Sequence, residues 1–149
     1  MELYDLDERQ KKIRWRAGFH TAFLLMGLVL ADGILSQYRP WAEPAMGAVI
    51  LLTAATAFFA TVTICQGAYQ VENRRTRRCM HSYLAVGGLN LLAWMGNWLS
   101  GGWQPVENGR LTTDLLPLVL GGLFLYVYLL WWGKSRRDRR LEADGDTDR

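Results

Sequence analysis

The four longest apolar stretches of this 149-residue chain contain no lysine and no arginine, and Asp32 is their single carboxylate. A water-soluble amphipathic helix carries apolar residues at spacings of three and four on one face and polar residues on the other. These stretches are apolar on all sides. They exclude a soluble four-helix bundle, although the mean hydropathy of −0.01 is ordinary for a soluble protein.

Motifs that identify a known chemistry are also missing. The sequence contains no nucleophile elbow, no phosphate-binding loop and no metalloprotease helix. No known nucleic-acid-binding motif accompanies its basic clusters, so nucleic acid is not an expected partner. Its two cysteines, Cys65 and Cys79, flank a basic segment, and we expect two free thiols rather than a disulfide. These absences predict a protein that is not an enzyme and needs no cofactor.

The lengths of the apolar stretches point to a membrane. About 20 apolar residues cross a hydrocarbon core of about 30 Å, and each stretch is about that long. The sequence therefore predicts an all-α integral membrane four-helix bundle, antiparallel in up-down-up-down order. The predicted spans are residues 17–37, 45–68, 80–99 and 115–133.

The two halves of the chain show a weak internal similarity. A shift of 61 residues sets His20 on His81 and Pro44 on Pro105. This match favours a 2+2 parallel repeat with an axis along the membrane normal. Apolar helical sequences also produce such matches by chance, and that alternative stays open.

Both ends of the chain are charged. Residues 1–16 predict a cytoplasmic helix that either lies on the membrane surface as an amphipathic element or continues into the first span. Residues 134–149 predict a tail that is basic, then acidic and disordered. We expect no cleaved signal peptide, because the first apolar run is too long for one.

Positive charge is concentrated on one side of the predicted spans. Fifteen Lys and Arg residues lie in the N-terminal segment, the central loop and the tail, whereas the other two loops hold only Arg39 and Arg110. The positive-inside rule then predicts a multi-pass protein of the cell inner (plasma) membrane with both termini in the cytoplasm. The arginines that set this topology, and that suit anionic lipid head groups, are Arg74, Arg75, Arg77 and Arg78 in the loop and Arg136, Arg137, Arg139 and Arg140 in the tail.

Small residues recur every four positions in the second span, which lets helix backbones approach closely in lipid. They predict that this span is the most enclosed of the four. The helix-packing residues are Thr53, Ala57 and Thr61 in one row and Thr56 and Ala60 in another, with Gly87 of the third span.

Polar residues inside the spans form one candidate site. Tyr83, Gly87, Asn90, Trp94 and Asn97 share one side of the third span, and an unpartnered Asn is costly in hydrocarbon. This side should therefore face protein, either as packing contacts or as part of a site. Asp32 is a candidate proton or cation site with Asn90, Asn97 or a threonine of span two as its partner. Because it lies near the outer end of span one, the alternative is a hydrated carboxylate or one bonded to a loop amide.

His20 and His81 lie near the cytoplasmic ends of their spans. No thiolate or carboxylate constellation accompanies them, and the spacing of Cys79 and His81 alone is not a zinc motif. We therefore predict no metal site.

The segment from Asp7 to Gly18 reads DERQKKIRWRAG and runs straight into the first span. It resembles the start of a loose group of small uncharacterised bacterial four-span membrane proteins with an N-terminal Asp-Glu-Arg-Gln signature. The resemblance implies a bacterial inner-membrane location and no catalytic residue.

Two functions agree with these observations. The first is a small non-enzymatic protein that acts by assembly, as an accessory or regulatory membrane subunit, in a homo-oligomer or with another membrane protein. The alternative is a small proton-coupled exporter of hydrophobic cations that uses Asp32. The strong charge bias opposes an antiparallel dimer of the kind that small exporters form.

Overall fold

The computed structural model describes residues 8–68 and 74–145, except for the side chains of 74, 75, 139 and 141–145. The four helices are α1 (Glu8–Tyr38), α2 (Pro44–Cys65), α3 (Arg74–Leu99) and α4 (Leu116–Gly145). A small hairpin of β1 (Val106–Glu107) and β2 (Arg110–Leu111) lies between α3 and α4. The expected all-α fold of four helices is confirmed.

Three of these helices are long and apolar enough to cross a membrane. They are α1, α2 and the segment Thr113–Asp138, which contains most of α4. Helix α3 has 26 residues, which is long enough, but among the described helices it does not reach the same apolarity. His81, Asn90 and Asn97 are polar residues within its otherwise apolar part.

The order of the helices in space differs from their order in the chain. Helix α1 packs against α2, α2 against α4, and α4 against α3, and the last contact is the most extensive. The helices thus form a row, α1-α2-α4-α3, which we call the helix layer. This order is compatible with a two-fold repeat of the hairpins α1-α2 and α3-α4, but such a repeat would equally allow α1 and α3 to be the adjacent pair.

Hydrogen bonds and ring contacts give the directions of the helices. Glu43, before α2, bonds to Thr113, before α4, and Thr61 bonds to Tyr126 further along, so α2 and α4 run parallel. The ring of His81, near the start of α3, lies 6.3 Å from that of Trp131, late in α4, so these two helices are antiparallel. The predicted up-down-up-down order is therefore observed.

The end of the layer where α1 and α3 begin carries most of the basic residues and is called the basic end. Two expectations about it need correction. The segment from Arg74 to Arg78 was expected to be a loop, but it forms the first turns of α3. The tail after Gly133 was expected to be disordered, but α4 continues to Gly145. Charged residues limit how far a helix enters a membrane, but they do not end the helix.

At the N-terminus, the structure favours one of the two alternatives. Helix α1 is continuous from Glu8 to Tyr38, so the charged segment from Glu8 onward continues into the first span. Residues 1–7, with the start of the Asp-Glu-Arg-Gln signature at Asp7, lie outside the described residues. The same holds for Glu72 and Asn73 of the expected loop and for residues 146–149 of the tail.

The opposite end, called the hairpin end, is closed by the loop between α3 and α4. Asn108 and Gly109 form its turn with φ of 50° and 76°, as expected for a two-residue Asn-Gly hairpin. The backbone N–H of Leu111 donates to the Trp41 carbonyl over 2.9 Å, and that of Glu43 donates to the Leu111 carbonyl over 2.8 Å. These bonds attach the loop to the α1-α2 turn and hold the two helix pairs together at this end.

Candidate functional site

Asp32 lies on α1 close to the hairpin end, and the α1-α2 turn supplies its main partner. Its Oδ1 accepts a hydrogen bond of 2.6 Å from Nε1 of Trp41 and one of 3.2 Å from Oγ of Ser36. The bond to Trp41 is short for a hydrogen bond from a nitrogen donor. The contact ties α1 to the residues of the α1-α2 turn.

The two asparagines lie elsewhere. The side-chain nitrogen of Asn90 donates to the Val86 carbonyl of its own helix over 2.9 Å. The backbone carbonyl of Asn97 accepts from Oγ of Ser100 at the end of α3. Among the described residues, neither asparagine hydrogen-bonds to Asp32, and α1 and α3 are not an extensively packed pair. The structure thus does not assemble the candidate polar site around Asp32.

The polar side of α3 does face protein. Gly87 is buried against α4, and Tyr83, Asn90, Trp94 and Asn97 are half-buried. Tyr83 packs on Phe124 of α4 with ring centroids 5.6 Å apart, and Trp94 packs edge-on against Trp103 of the following loop at 5.9 Å. The indole nitrogens of Trp94 and Trp103 are buried without a hydrogen-bond partner among the described residues. These residues act as packing contacts along α4 and the loop.

Of the packing residues predicted in α2, Ala60 has the clearest contact. It joins Ile64, Met80, Val127 and Trp131 in the buried cluster that links α2, α3 and α4. Thr61 Oγ1 donates to the Ala57 carbonyl over 2.7 Å and lies 2.8 Å from the hydroxyl of Tyr126. The remaining members are less enclosed: Thr53 and Ala57 are half-buried and Thr56 is exposed.

A close crossing of α3 and α4 involves a residue that the sequence analysis did not single out. At Gly87, an added Cβ would lie 3.3 Å from the carbonyl oxygen of Gly121 in α4. Gly121 lies in a stretch that is apolar on all sides, next to a second glycine. No polar-apolar periodicity therefore indicated that it contacts another helix. The pair of glycines fixes how closely α3 and α4 approach.

A cavity of about 270 Å³ lies between α2, α3 and α4. Both α2 and α3 pack on α4 but not extensively on each other, which leaves this space open. Its wall is apolar except for Thr56 and Tyr83, and Asp32 is not part of it. The cavity therefore offers no charged group that a cation would need.

The histidines and cysteines do not form a metal site. His20 pairs within its own helix, where Nδ1 lies 2.9 Å from the Arg16 carbonyl, and His81 packs on the rings of Tyr128 and Trp131. Cys65 and Cys79 are free and exposed. Within residues 8–68 and 74–145, no group of three His, Cys, Asp or Glu residues is arranged to hold a metal ion.

The predicted topology arginines gather at the basic end. Arg77 and Arg78 are exposed on α3, and Arg136 and Arg137 are exposed on α4. The guanidinium carbon of Arg136 lies 3.8 Å from the ring centre of Trp132, a cation–π contact. The side chains of Arg74, Arg75 and Arg139 lie outside the description, and Arg140 is exposed.

The fold and its sites define an α-helical protein of membrane type with no recognisable catalytic centre among the described residues. Comparisons with models of protein families, with curated proteins and with solved structures find no match.

Proposed function

We propose that the protein is a small non-enzymatic protein of the cell inner membrane that acts by assembly, as an accessory or regulatory subunit or as a homo-oligomer. The observation that supports this most is the position of α3. It is less apolar than the three helices that meet the criteria for a span, yet it lies at one edge of the helix layer and packs extensively against α4 alone. A partner on its free side would shield it from lipid.

Helix α3 is proposed to cross the membrane together with α4. The two helices touch from His81 and Trp131 near the basic end to Leu91 and Gly121 further along. Ten residues of helix correspond to about 15 Å, which is half of a hydrocarbon core. With four crossings, both termini lie on the same side of the membrane. The basic residues at that end favour the cytoplasmic side, by the positive-inside rule.

The free sides of the two edge helices both expose large apolar side chains, Leu89 and Leu92 on α3 and Leu30 and Ile34 on α1. The free side of α3 also exposes small side chains, among them Ser82, Ala85, Ala93 and Gly96. Small residues let another helix approach closely in a membrane, so these positions are the ones at which we propose that a partner helix packs.

Cysteine crosslinking in native membranes tests this proposal. In a background with Cys65→Ser and Cys79→Ser, single cysteines at Ala85 or Ala93 should form a disulfide-linked species under mild oxidation. Its mass distinguishes a second copy of the chain from a different membrane protein. Cysteines at Leu30 or Ile34 of α1 are the matched controls and should remain monomeric. Crosslinking through α1 with none through α3 would refute the α3 assembly surface.

The alternative, a proton-coupled exporter of hydrophobic cations, has less support. Its central residue, Asp32, is bonded to Trp41 and Ser36 and does not line the cavity between α2, α3 and α4. The Asp32→Asn variant tests the exporter hypothesis directly, through proton release on binding of a hydrophobic cation.

A further inference from the structure

A cleft of about 820 Å³ opens at the basic end of the helix layer, between α1, the end of α2 and α4. Its wall contains four cationic residues, and none of the described residues that line it is acidic. Asp138 pairs with one of them, Lys134, over 3.0 Å and offsets part of the charge. The cations are Arg9, Lys12 and Arg16 of α1 and Lys134 of α4. The cleft is therefore suited to an anion.

The N-terminal part of α1 is held in place beside this cleft. Nε and Nη2 of Arg14 both donate to the carbonyl oxygen of Ala68, over 3.3 and 3.0 Å. These two hydrogen bonds to the backbone just beyond α2 hold α1 against the neighbouring helix. It also neutralises part of the negative end of the α2 dipole, which would otherwise oppose an anion at Cys65 to Gly67.

Two largely apolar grooves run from the cleft along the same face of the layer. The first, of about 400 Å³, lies between α1 and α2, contains Phe58 and Val62, and shares Arg16 and Gln66 with the cleft. The second, of about 420 Å³, lies between α2 and α4, contains Leu129 and Leu130, and shares Cys65 and Lys134. The polar cleft thus continues into one groove on each side of α2.

We propose that this surface binds one anionic phospholipid, with the phosphate in the cleft and one acyl chain in each groove. Basic pockets between membrane helices on the cytoplasmic side commonly hold anionic head groups. The two grooves are the reason for proposing a lipid rather than inorganic phosphate as the ligand, because inorganic phosphate would leave both of them empty. This site involves α1, α2 and α4 and does not depend on the assembly surface proposed for α3.

Lipid retention by the full-length protein in detergent tests the site. Native mass spectrometry would compare phosphatidylglycerol with phosphatidylcholine of the same chain length, and inorganic phosphate would serve as a competitor. The test variant is Arg9→Gln with Arg16→Gln. The control is Arg39→Gln with Arg110→Gln, which removes the same charge from two exposed arginines outside the cleft.

The parent and the control should retain one phosphatidylglycerol molecule in preference to phosphatidylcholine. The test variant should bind phosphatidylglycerol about thirtyfold more weakly, since each basic residue near an anionic surface contributes about a factor of five. All four arginines are exposed, and unchanged thermal unfolding of both variants checks that the fold is intact. Equal losses in test and control variants would show only a diffuse surface charge and overturn the site. Displacement of the lipid by equimolar inorganic phosphate would overturn the assignment to a lipid.

Discussion

Gly87 of α3 and Gly121 of α4 lie so close together that a Cβ added at either position would be crowded by the other helix. A Cβ added at Gly87 would lie 3.3 Å from the Gly121 carbonyl oxygen, and one added at Gly121 would lie 3.2 Å from the Gly87 carbonyl oxygen. Such a crossing brings two backbones into van der Waals contact, which is a main source of helix association in membranes.

Gly87→Ala and Gly121→Ala should each destabilise the protein by about 1 to 3 kcal/mol, the usual cost of forcing an extra methyl group into a close contact. Thermal unfolding in detergent measures this change. Gly88→Ala and Gly122→Ala are matched controls, since an added Cβ meets nothing within 4 Å at either position. The controls should be neutral or stabilising, because alanine favours a helix by up to about 1 kcal/mol over glycine. Equal effects at all four positions would show that the crossing contributes nothing.

Ala55 provides a second packing test, on α2. It is 4% exposed and does not line the cavity between α2, α3 and α4, so Ala55→Leu adds volume where there is no such space and should cost about 1 to 3 kcal/mol in the same unfolding measurement. Ala54→Leu is the control, because Ala54 is exposed on the same helix. If both variants unfold at the temperature of the parent, the packing around Ala55 is not close enough to matter for stability.

The sequence predicted the helices better than it predicted their ends. The predicted second and fourth spans, from residues 45 and 115, begin within one residue of α2 and α4, and Pro44 and Pro117 lie in the first turns of these helices, where proline is tolerated. The arginines from Arg74 onward were read as a loop, because hydropathy reports where a membrane can lie and not where a helix ends. The same reason explains the extension of α4 to Gly145.

The order of the helices in the layer could not be read from the sequence. A helix that is apolar on all sides gives no sign of which side meets a neighbour, so the adjacency of α2 and α4 had no signal. The partner of Asp32 was missed for a related reason. No periodicity connects Trp41, which lies in a turn, with a helix residue nine positions earlier.

Cysteine labelling in intact cells tests the proposed topology. In the background without native cysteines, a cysteine at Asn108 in the hairpin should react with an impermeant thiol reagent added outside, and one at Arg140 should not. Both positions are exposed, whereas Ser135 in the same basic segment is 5% exposed and would be a poor reporter. Labelling at both positions in permeabilised cells is the control. Reaction at Arg140 and not at Asn108 in intact cells would reverse the topology, and reaction at both would show that α4 does not cross the membrane.

The last prediction concerns Asp32, whose role separates the two proposed functions. Its Oδ1 accepts hydrogen bonds from Trp41 and Ser36, and Asp32→Asn keeps an oxygen acceptor of the same size while removing the charge and the ability to exchange a proton. We expect this variant to fold and assemble like the parent with a small loss of stability. Asp32→Leu should instead cost about 1 to 3 kcal/mol, because it leaves the indole N–H of Trp41 without its acceptor. Trp41→Phe combined with Asp32→Leu should cost less than the two single changes added together, since the donor and acceptor are then removed as a pair. Proton release on binding of a hydrophobic cation by the parent, and its loss in Asp32→Asn, would favour the exporter over the accessory subunit.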